Sequence, residues 1–147
     1  MNYQSKDFAK IPSHLSVNMP EKLIHKNITL PQGDSSIFSA ERHHFVSIVD
    51  LPSKTMSMTL GGLKPQQSTR RHRHNYETLI YIIKGYGHSI IEDQIVAWQK
   101  GDAIYIPVWA WHCHVNLSGD QDCLYIACEN APLLQNLGQL GLREEAT

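Results

Sequence analysis

The stretch GDAIYIPVWAWHCHVN, residues 101–116, decides the fold of this chain, together with the short run RHRH at residues 71–74. Side chains of a β-strand alternate between its two faces, so His72 and His74 lie on one face with Cα atoms about 6.6 Å apart. His112 comes from a distant segment. Three imidazoles that converge from two strands can bind one metal ion and leave other coordination positions open, as catalytic metal sites do.

The central part of the chain, from Phe45 to Cys128, is a series of short β-rich runs. They are FVSIVD, TMSMTL, TLIYIIKG, HSIIED, QIVAW, AIYIPV and DCLYIAC. Glycines, prolines and the cluster Ser118-Gly119-Asp120 separate them, as turns separate strands. Many short strands at regular spacing predict an all-β fold, an antiparallel barrel or sandwich.

The chain divides into three zones: an N-terminal arm (residues 1–40), the β-barrel (41–130) and a C-terminal tail (131–147). The arm is polar and is interrupted by Pro12, Pro20 and Pro31. We expect it to be extended, either lying across a neighbouring subunit or a sheet edge, or disordered over its first ten or so residues. The tail, PLLQNLGQLGLREEAT, is interpreted as a short helical or irregular cap.

Composition narrows the class of protein. A chain of 147 residues with 41% hydrophobic content suits one domain. A net charge of −1 without a basic run argues against nucleic acid and anionic membranes as partners. The sequence lacks the apolar core of a signal peptide and any apolar stretch near the ~20 residues that span a bilayer. Because its three cysteines have no CxxC spacing, we expect reduced thiols and a cytoplasmic protein.

The run TLIYIIKG, residues 78–85, has almost no polar face. Such a strand is expected to be covered on both sides. In a barrel that also forms an interface, the second cover is another subunit. The sequence therefore predicts a homodimer.

Residues 62–116 resemble the two motifs of the cupin superfamily. The positions that can be placed on these motifs are Gly62, His72, His74 and Gly85 for the first, and Gly101, Pro107, His112 and Asn116 for the second. The resemblance implies a double-stranded β-helix, or jelly-roll, barrel whose motif histidines bind one metal inside it. Trp109 stands where the family has a small glycine after the proline.

The carboxylate ligand of the cupin motif is displaced in this sequence. Its position is taken by Thr78, and Glu77 comes one residue early. On a regular strand Glu77 faces away from the histidines, which favours a three-histidine site with Glu77 paired to Arg71, Arg73 or a backbone group. A β-bulge would reverse its facing and return the carboxylate to the metal.

Four segments are similar to the catalytic cupin of gentisate and salicylate 1,2-dioxygenases. In chain order they are RHRH, IIKGYG, IPVWAWHCHVN and ENAPLL. This resemblance implies Fe(II) bound by His72, His74 and His112 without a glutamate, and His114 as a catalytic group beside them. Zn, Mn and Ni are alternatives, because three histidines and a water also describe catalytic zinc. Those enzymes carry two cupin domains in a much longer chain.

The predicted substrate pocket contains Thr78, Ile80, Trp109 and Trp111. The two tryptophans either stack on a planar substrate or pack within the barrel. Ile80 stands where the ring-cleaving enzymes commonly have an arginine, so the pocket is more apolar. A carboxylated substrate would then need another cation, for which Arg70, Arg71 and Arg73 are loosely placed.

Two further residues are candidate catalytic groups. His114 is interpreted as orienting a ligand or shuttling a proton, or else as a polar residue at the barrel mouth. Tyr76 shares strand parity with His74 and is interpreted as a hydrogen-bond donor or acid, or as an aromatic lid. Cys113 between the histidines is assigned to packing or to a direct chemical role.

Two other polar features are given structural roles. The adjacent pair His43-His44 faces opposite sides of a strand and is interpreted as surface or core histidine. Asn116 is predicted to hold a turn through its side chain.

Three functions are compatible with this sequence. The first is an Fe(II) dioxygenase acting on a small hydroxylated aromatic or enolisable acid. The second is a non-oxidative metal-dependent lyase, isomerase or hydrolase, and the third is a non-catalytic cupin that binds a small molecule. Because imidazole must be neutral to bind a metal, metal affinity is expected to fall below pH ~6.5.

Overall fold

The computed structural model describes residues 17–30 and 35–147, and within them it contains ten strands and two short helices. The elements are α1 (Ser35–Arg42), β1 (Phe45–Ile48), β2 (Ser57–Leu63), β3 (His72–His74), β4 (Thr78–Lys84), β5 (Tyr86–Ile91), β6 (Gln94–Gln99), β7 (Ala103–Ile106), β8 (His112–Asn116), β9 (Cys123–Glu129), α2 (Ala131–Asn136) and β10 (Arg143–Glu145). They form two antiparallel sheets, ordered β1-β2-β9-β4-β7 and β10-β3-β8-β5-β6. The all-β class is confirmed.

The core lies between the two sheets and follows from the period-two pattern of the strands. In β4, Ile80 and Ile82 are buried, and in β9 the same holds for Tyr125 and Ala127. These inward side chains pack with Trp98 of the second sheet in one cluster. The two inner faces therefore bury each other, as in other sandwiches.

The outer face of β4 differs from the prediction that this strand is covered on both sides. Leu79 is 57% exposed and Tyr81 is 51% exposed. The alternation is therefore that of a strand covered on one side within a single chain. The apolar character of TLIYIIKG leaves its outer side chains uncovered in the isolated subunit.

The predicted N-terminal arm lies partly outside the described residues, which exclude 1–16 and 31–34. Residues 17–30 contain neither helix nor strand. The last part of the arm belongs to helix α1, which extends beyond the predicted boundary at residue 40 and lies along the edge strand β1. Ser39 Oγ accepts a hydrogen bond from the Val46 amide at 2.8 Å, and Ser35 Oγ accepts one from the Ile48 amide at 3.0 Å. Helix α1 thus satisfies backbone groups of an exposed sheet edge.

The C-terminal tail is more than the predicted cap. It forms helix α2 and then strand β10, which pairs antiparallel with β3, with Arg143 opposite His74. Asn75 anchors the approach to β10, because its side chain donates to the Leu140 carbonyl at 2.8 Å and accepts from the Leu142 amide at 2.7 Å. The tail therefore stabilises the short strand that carries two of the candidate ligands.

Asn116 holds the turn after β8, as its motif position predicts. Its side-chain amide donates to the carbonyls of Leu63, Lys64 and Gln121, at 3.1, 3.1 and 2.8 Å. Its side-chain oxygen accepts from the Ser118 amide at 3.0 Å. A fully buried amide with these partners fixes the end of the barrel that follows the third histidine.

Two glycines allow aromatic rings to lie close to the backbone. A Cβ atom at Gly61 would lie 2.3 Å from the ring of Tyr125, and one at Gly87 would lie 2.6 Å from the ring of Trp98. Only glycine leaves room for both rings at these positions. In the described part of the chain, helices long and apolar enough to cross a bilayer are absent.

Candidate metal centre

His72, His74 and His112 converge on the inner face of the second sheet. His72 lies directly opposite His112 in the β3–β8 pair, and His74 is two residues further along β3. The ring centroids are 4.2 Å apart for His72 and His112, 4.8 Å for His74 and His112, and 5.7 Å for His72 and His74. Their ligand atoms all lie within 4.8 Å of one another. Small side-chain rotations would bring all three to bonds of about 2.1 Å with one ion.

Hydrogen bonds at Nδ1 prepare the three rings for coordination through Nε2. Each Nδ1 lies 2.8 Å from a backbone carbonyl oxygen two residues away in the chain. A carbonyl only accepts, so Nδ1 of each neutral imidazole carries the hydrogen and Nε2 keeps its lone pair. Metal-binding histidines typically have this arrangement. The donor set therefore fits a divalent metal ion.

Burial keeps these imidazoles neutral. Desolvation lowers the pKa of His72, lowers the pKa of His74 to about 4, and lowers the pKa of His112 further. Neighbouring histidines add to the effect at His74 and His112, because one cation beside another is unfavourable. At neutral pH the site can accept a metal without first losing a proton.

His114 and Tyr76, the candidate catalytic groups, both lie at the same cavity as the three histidines. His114 is buried, with its ring centroid 5.6 Å from that of His112. Tyr76 stacks parallel on His74 at 4.1 Å between centroids. Burial, and then the nearby Glu129, raise the pKa of the Tyr76 phenol, so it stays protonated at neutral pH. Tyr76 is thus a hydrogen-bond donor rather than a base.

The cavity between the two sheets has a volume of about 110 Å³. Two of the predicted pocket residues, Thr78 and Ile80, line it. Polar residues that the sequence did not assign to the pocket also line it, among them Arg42, His44, Tyr125, Glu129 and Arg143. Arg42 is the last residue of α1, and His44 comes two residues later. Tyr125 and Glu129 lie in β9, and Arg143 lies in β10.

Among the described residues that line this cavity, Glu129 is the one with a carboxylic acid. Burial raises the pKa of its side chain to about 7, although a hydrogen bond from the Thr78 hydroxyl, 3.4 Å from Oε1, acts in the opposite direction. The sequence contained a signal for this residue, because Tyr125, Ala127 and Glu129 share one strand face. Glu129 was missed because it lies at the very end of the apolar run.

His44 adds a detail to the interpretation of the His43-His44 pair as surface or core residues. The two do differ in exposure, but His44 lines the cavity. Its Nδ1 lies 3.0 Å from the Arg42 carbonyl, and the Tyr125 hydroxyl donates to its Nε2 at 3.4 Å. Because this lone pair is already used, His44 stands apart from the metal group.

Trp109 and Trp111 do not line the cavity, contrary to the pocket prediction. The Arg73 guanidinium lies 4.4 Å from the Trp109 ring centroid and 4.5 Å from that of Trp111. Trp109 also adopts a φ of 65°, the left-handed region that suits the glycine usually found there. This turn directs both indoles to Arg73 instead of the barrel interior.

Glu77 is exposed and lies outside the metal group. Its carboxylate accepts a hydrogen bond from the Tyr105 hydroxyl at 2.8 Å, and its amide donates to Asn130 Oδ1 at 2.9 Å. The predicted pairing of its carboxylate with Arg71 or Arg73 was wrong. The three-histidine arrangement holds, because the carboxylate faces away from the cavity.

The cations at the cavity are also different from those predicted. Arg70 pairs with Glu145 at 2.9 Å, and Arg73 pairs with Glu144, so both bind the tail strand. Arg71, Arg70 and Arg73 are absent from the cavity lining, whereas Arg42 and Arg143 are present. Cys113, on the opposite face of β8 from the histidines, does not line the cavity either.

Comparison with known proteins identifies the family. Residues 59–128 match the sequence profile described as a cupin domain. This segment belongs to the cupin family. The cupin barrel predicted from the two motifs is thereby confirmed.

Two relatives of this chain are named as 1,2-dioxygenases. A 5-aminosalicylate 1,2-dioxygenase from Comamonas sp is 33% identical over 84 residues, which are 57% of this chain and 22% of the relative. A gentisate 1,2-dioxygenase from Aquipseudomonas alcaligenes is 28% identical over 96 residues, which are 59% of this chain and 28% of the relative. The chain thus spans about a quarter of the length of these curated relatives.

A solved structure shows the same fold. The salicylate 1,2-dioxygenase from Pseudoaminobacter salicylatoxidans, as adducts with gentisate, superposes with a TM-score of 0.64 at 23% identity. The match covers 74% of this chain and 31% of that enzyme. The match therefore corresponds to less than one third of that enzyme.

Proposed function

We propose that this cupin is an Fe(II)-dependent dioxygenase that acts on a small hydroxylated aromatic or enolisable acid. The observation that carries the proposal is the set of three free Nε2 lone pairs facing one cavity, with His114 and Tyr76 beside them. The relatives named for 5-aminosalicylate and gentisate support the same reaction class. Three neutral ligands leave the charge of a divalent ion uncompensated, which favours an anionic chelating substrate.

The size of the cavity favours a single-ring substrate. A cavity of about 150 Å³ in another protein holds benzene, and the volume here is about 110 Å³. Arg42 and Arg143 add positive charge, although Arg143 also pairs with Glu145 at 2.7 Å. The small volume argues against a fused two-ring substrate, and the two arginines favour an anionic group on the ring.

The reaction divides between the metal and the protein. A bound Fe(II) ion would hold the chelating substrate. It would also allow electrons of the substrate to reach dioxygen, whose spin state otherwise slows reaction with organic molecules. Tyr76 donates its phenolic hydrogen to a substrate oxygen. Glu129, with a pKa of about 7, can hold or release a proton at its carboxyl oxygen. The apolar inner wall at Ile80 excludes water from the opposite side.

Oxygen consumption tests this function. Protein purified and loaded with Fe(II) under anaerobic conditions is expected to consume one dioxygen per molecule of gentisate or 5-aminosalicylate lost. The two-ring 1-hydroxy-2-naphthoate should react far more slowly, because the cavity is too small. The zinc-loaded protein is the control and should consume no oxygen. Substrate loss without oxygen uptake would rule out the dioxygenase.

A non-oxidative metal-dependent lyase, isomerase or hydrolase is the second candidate. Glu129 favours it, because a carboxyl group with a pKa near neutrality is suited to general acid-base catalysis. Three imidazoles with an open position also describe catalytic zinc. Metal analysis of the anaerobically purified protein separates the two, since about one equivalent of zinc or nickel in place of iron favours this candidate.

The chain is further proposed to form a homodimer through the outer face of β4 and β7. Leu79, Tyr81 and Tyr105 are 57%, 51% and 49% exposed on this face, and Leu79 lies directly opposite Tyr105. An apolar patch of this kind is typical of an interface.

Light scattering should give a dimer mass for the native chain and a monomer mass for Leu79→Glu. Ile95→Glu is a matched control, because Ile95 is 73% exposed on β6 of the other sheet. A monomeric native chain, or a dimeric Leu79→Glu variant, would contradict this interface.

We also propose that the protein is located in the cytoplasm. Cys113, Cys123 and Cys128 are all free thiols, which suits a reducing compartment. Fractionation of the source cells tests it, and recovery outside the cytoplasm would contradict it.

A further inference from the structure

We infer that Ser89 and Trp98 are positioning residues that fix the tautomer of His114, so that its Nε2–H points to the cavity as a hydrogen-bond donor. This tautomer is the reverse of the one in the three histidines of the metal group. The inference deepens the proposed function. The role of His114 toward a ligand rests on that function, whereas its tautomer does not.

A buried chain of hydrogen bonds carries the inference. Trp98 Nε1 lies 3.0 Å from Ser89 Oγ, and Ser89 Oγ lies 2.7 Å from His114 Nδ1. All three residues are buried, Ser89 completely. Water therefore has little access to these polar atoms, and they must satisfy one another.

The direction of each hydrogen bond follows from the chemistry of the end groups. The Trp98 indole nitrogen can only donate, so Ser89 Oγ accepts from it. The serine hydroxyl then has one hydrogen to place, and His114 Nδ1 is its remaining partner. If Nδ1 carried a hydrogen instead, two donors would meet at one oxygen and the hydroxyl would lack an acceptor. A buried unsatisfied hydroxyl costs about 1–3 kcal/mol.

The sheet builds this chain from three neighbouring strands. Ser89 on β5 lies directly opposite His114 on β8, and Trp98 on β6 lies opposite Gly87. The missing side chain at Gly87 leaves room for the indole. The His114 amide also donates to Thr69 Oγ1 at 2.9 Å, which fixes the backbone below the ring.

The tautomer determines what His114 can do. With Nδ1 occupied by the serine hydroxyl, Nε2 carries the hydrogen and has no lone pair for a metal ion. Among the described residues Nε2 has no hydrogen-bond partner, and His114 lines the cavity. His114 is thus a donor to an anionic oxygen, carboxylate or phenolate, of a ligand held beside the three histidines.

Nuclear magnetic resonance of the metal-free protein tests the tautomer without any activity. In protein labelled with ¹⁵N at histidine, at neutral pH, His114 should show an unprotonated Nδ1 and a protonated Nε2. His72, His74 and His112 should show the reverse. A protonated Nδ1 in His114 would overturn the inference, whatever the outcome of the oxygen experiment, and the native chain suffices for this measurement.

Ligand binding tests the positioning role. In zinc-loaded protein, with gentisate as the probe, Ser89→Ala should weaken gentisate binding about tenfold, while the zinc affinity stays unchanged. Ser89→Thr keeps the hydroxyl and should restore most of the binding. A merely structural role would reduce both affinities together. Unchanged gentisate affinity in Ser89→Ala, or an equal loss of zinc affinity, would contradict the inference.

Discussion

Replacement of His112 by alanine is expected to abolish stoichiometric metal binding and all metal-dependent activity. The change leaves two metal-binding Nε2 atoms, both on the three-residue strand β3. It removes the third, which the second motif supplies from β8. Loss of residues that merely orient a ligand typically costs 10- to 100-fold in metal affinity, so loss of a direct ligand should cost more than about 100-fold. Titration with zinc and with Fe(II) under anaerobic conditions measures the effect.

Two histidine variants serve as controls. His88→Ala removes an imidazole from β5 that does not line the cavity, and His44→Ala removes one that does. Both should keep about one equivalent of metal, because neither contributes a free Nε2 lone pair to the group. Full metal binding by His112→Ala, or an equal loss in His44→Ala, would show that the ion is held elsewhere.

The metal group could be predicted because it depends on local rules. Strand parity places His72 and His74 on one face, and the second motif brings His112 to the neighbouring strand. Glu77 directly precedes the inward-facing Thr78 of β4, and its carboxylate faces away from the cavity as expected for the neighbour of such a residue. Each of these inferences needs only the period of a strand and the identity of a few residues.

The other polar residues of the cavity lining could not be predicted in the same way. Arg143 reaches the cavity because β10 pairs with β3, a contact between residues about 70 positions apart along the chain, and three residues carry too little strand preference to be recognised. Arg42 arrives with helix α1. Such contacts depend on tertiary packing, which overrides local propensity.

The prediction that the two tryptophans line the pocket was wrong for a different reason. Strand β7 ends at Ile106 and β8 begins at His112, so Trp109 and Trp111 lie in a turn where strand parity does not apply. The left-handed backbone at Trp109 then turns the chain away from the cavity. A bulky residue in place of the usual glycine was the sequence signal for this departure.

The stability of the metal-free protein is expected to fall steeply as the pH drops below about 6.5. Five histidines line the cavity, and burial lowers the pKa of each, to about 4 for His44 and His74 and about 3 for His114. Between these values and 6.5, the unfolded chain binds protons that the folded chain does not, so unfolding becomes more favourable as pH falls.

Metal binding by the folded protein is expected to persist below the ordinary imidazole pKa of about 6.5, because burial lowers the pKa of all three ligands. In the folded protein His74 remains neutral until about pH 4, so protons compete for it only below that value. At higher pH the metal is lost mainly because the protein unfolds. Metal affinity at pH 5.5 should therefore stay near its neutral value for as long as the chain is folded.

Glu129 has the opposite effect on the pH dependence of stability, and its substitution is therefore the control. Its pKa is about 7 in the folded protein against 4.5 otherwise, so between these values the folded state binds the extra proton and stability falls as pH rises. Against five histidines it offsets one, so the net stability of the metal-free chain should fall as the pH drops below about 6.5.

Urea unfolding at several pH values measures both effects. Above pH 7, Glu129→Gln should be more stable than the native chain by about 3 kcal/mol, because the variant no longer buries an ionised carboxylate. Below pH 6 its stability should fall more steeply, since the opposing group is gone. Equal slopes for the two proteins would show that Glu129 is not the buried acid of the cavity. A flat profile from pH 7 to 5 would show that the five imidazoles are protonated in the folded state, which would remove the physical basis for a site that binds metal without first losing protons.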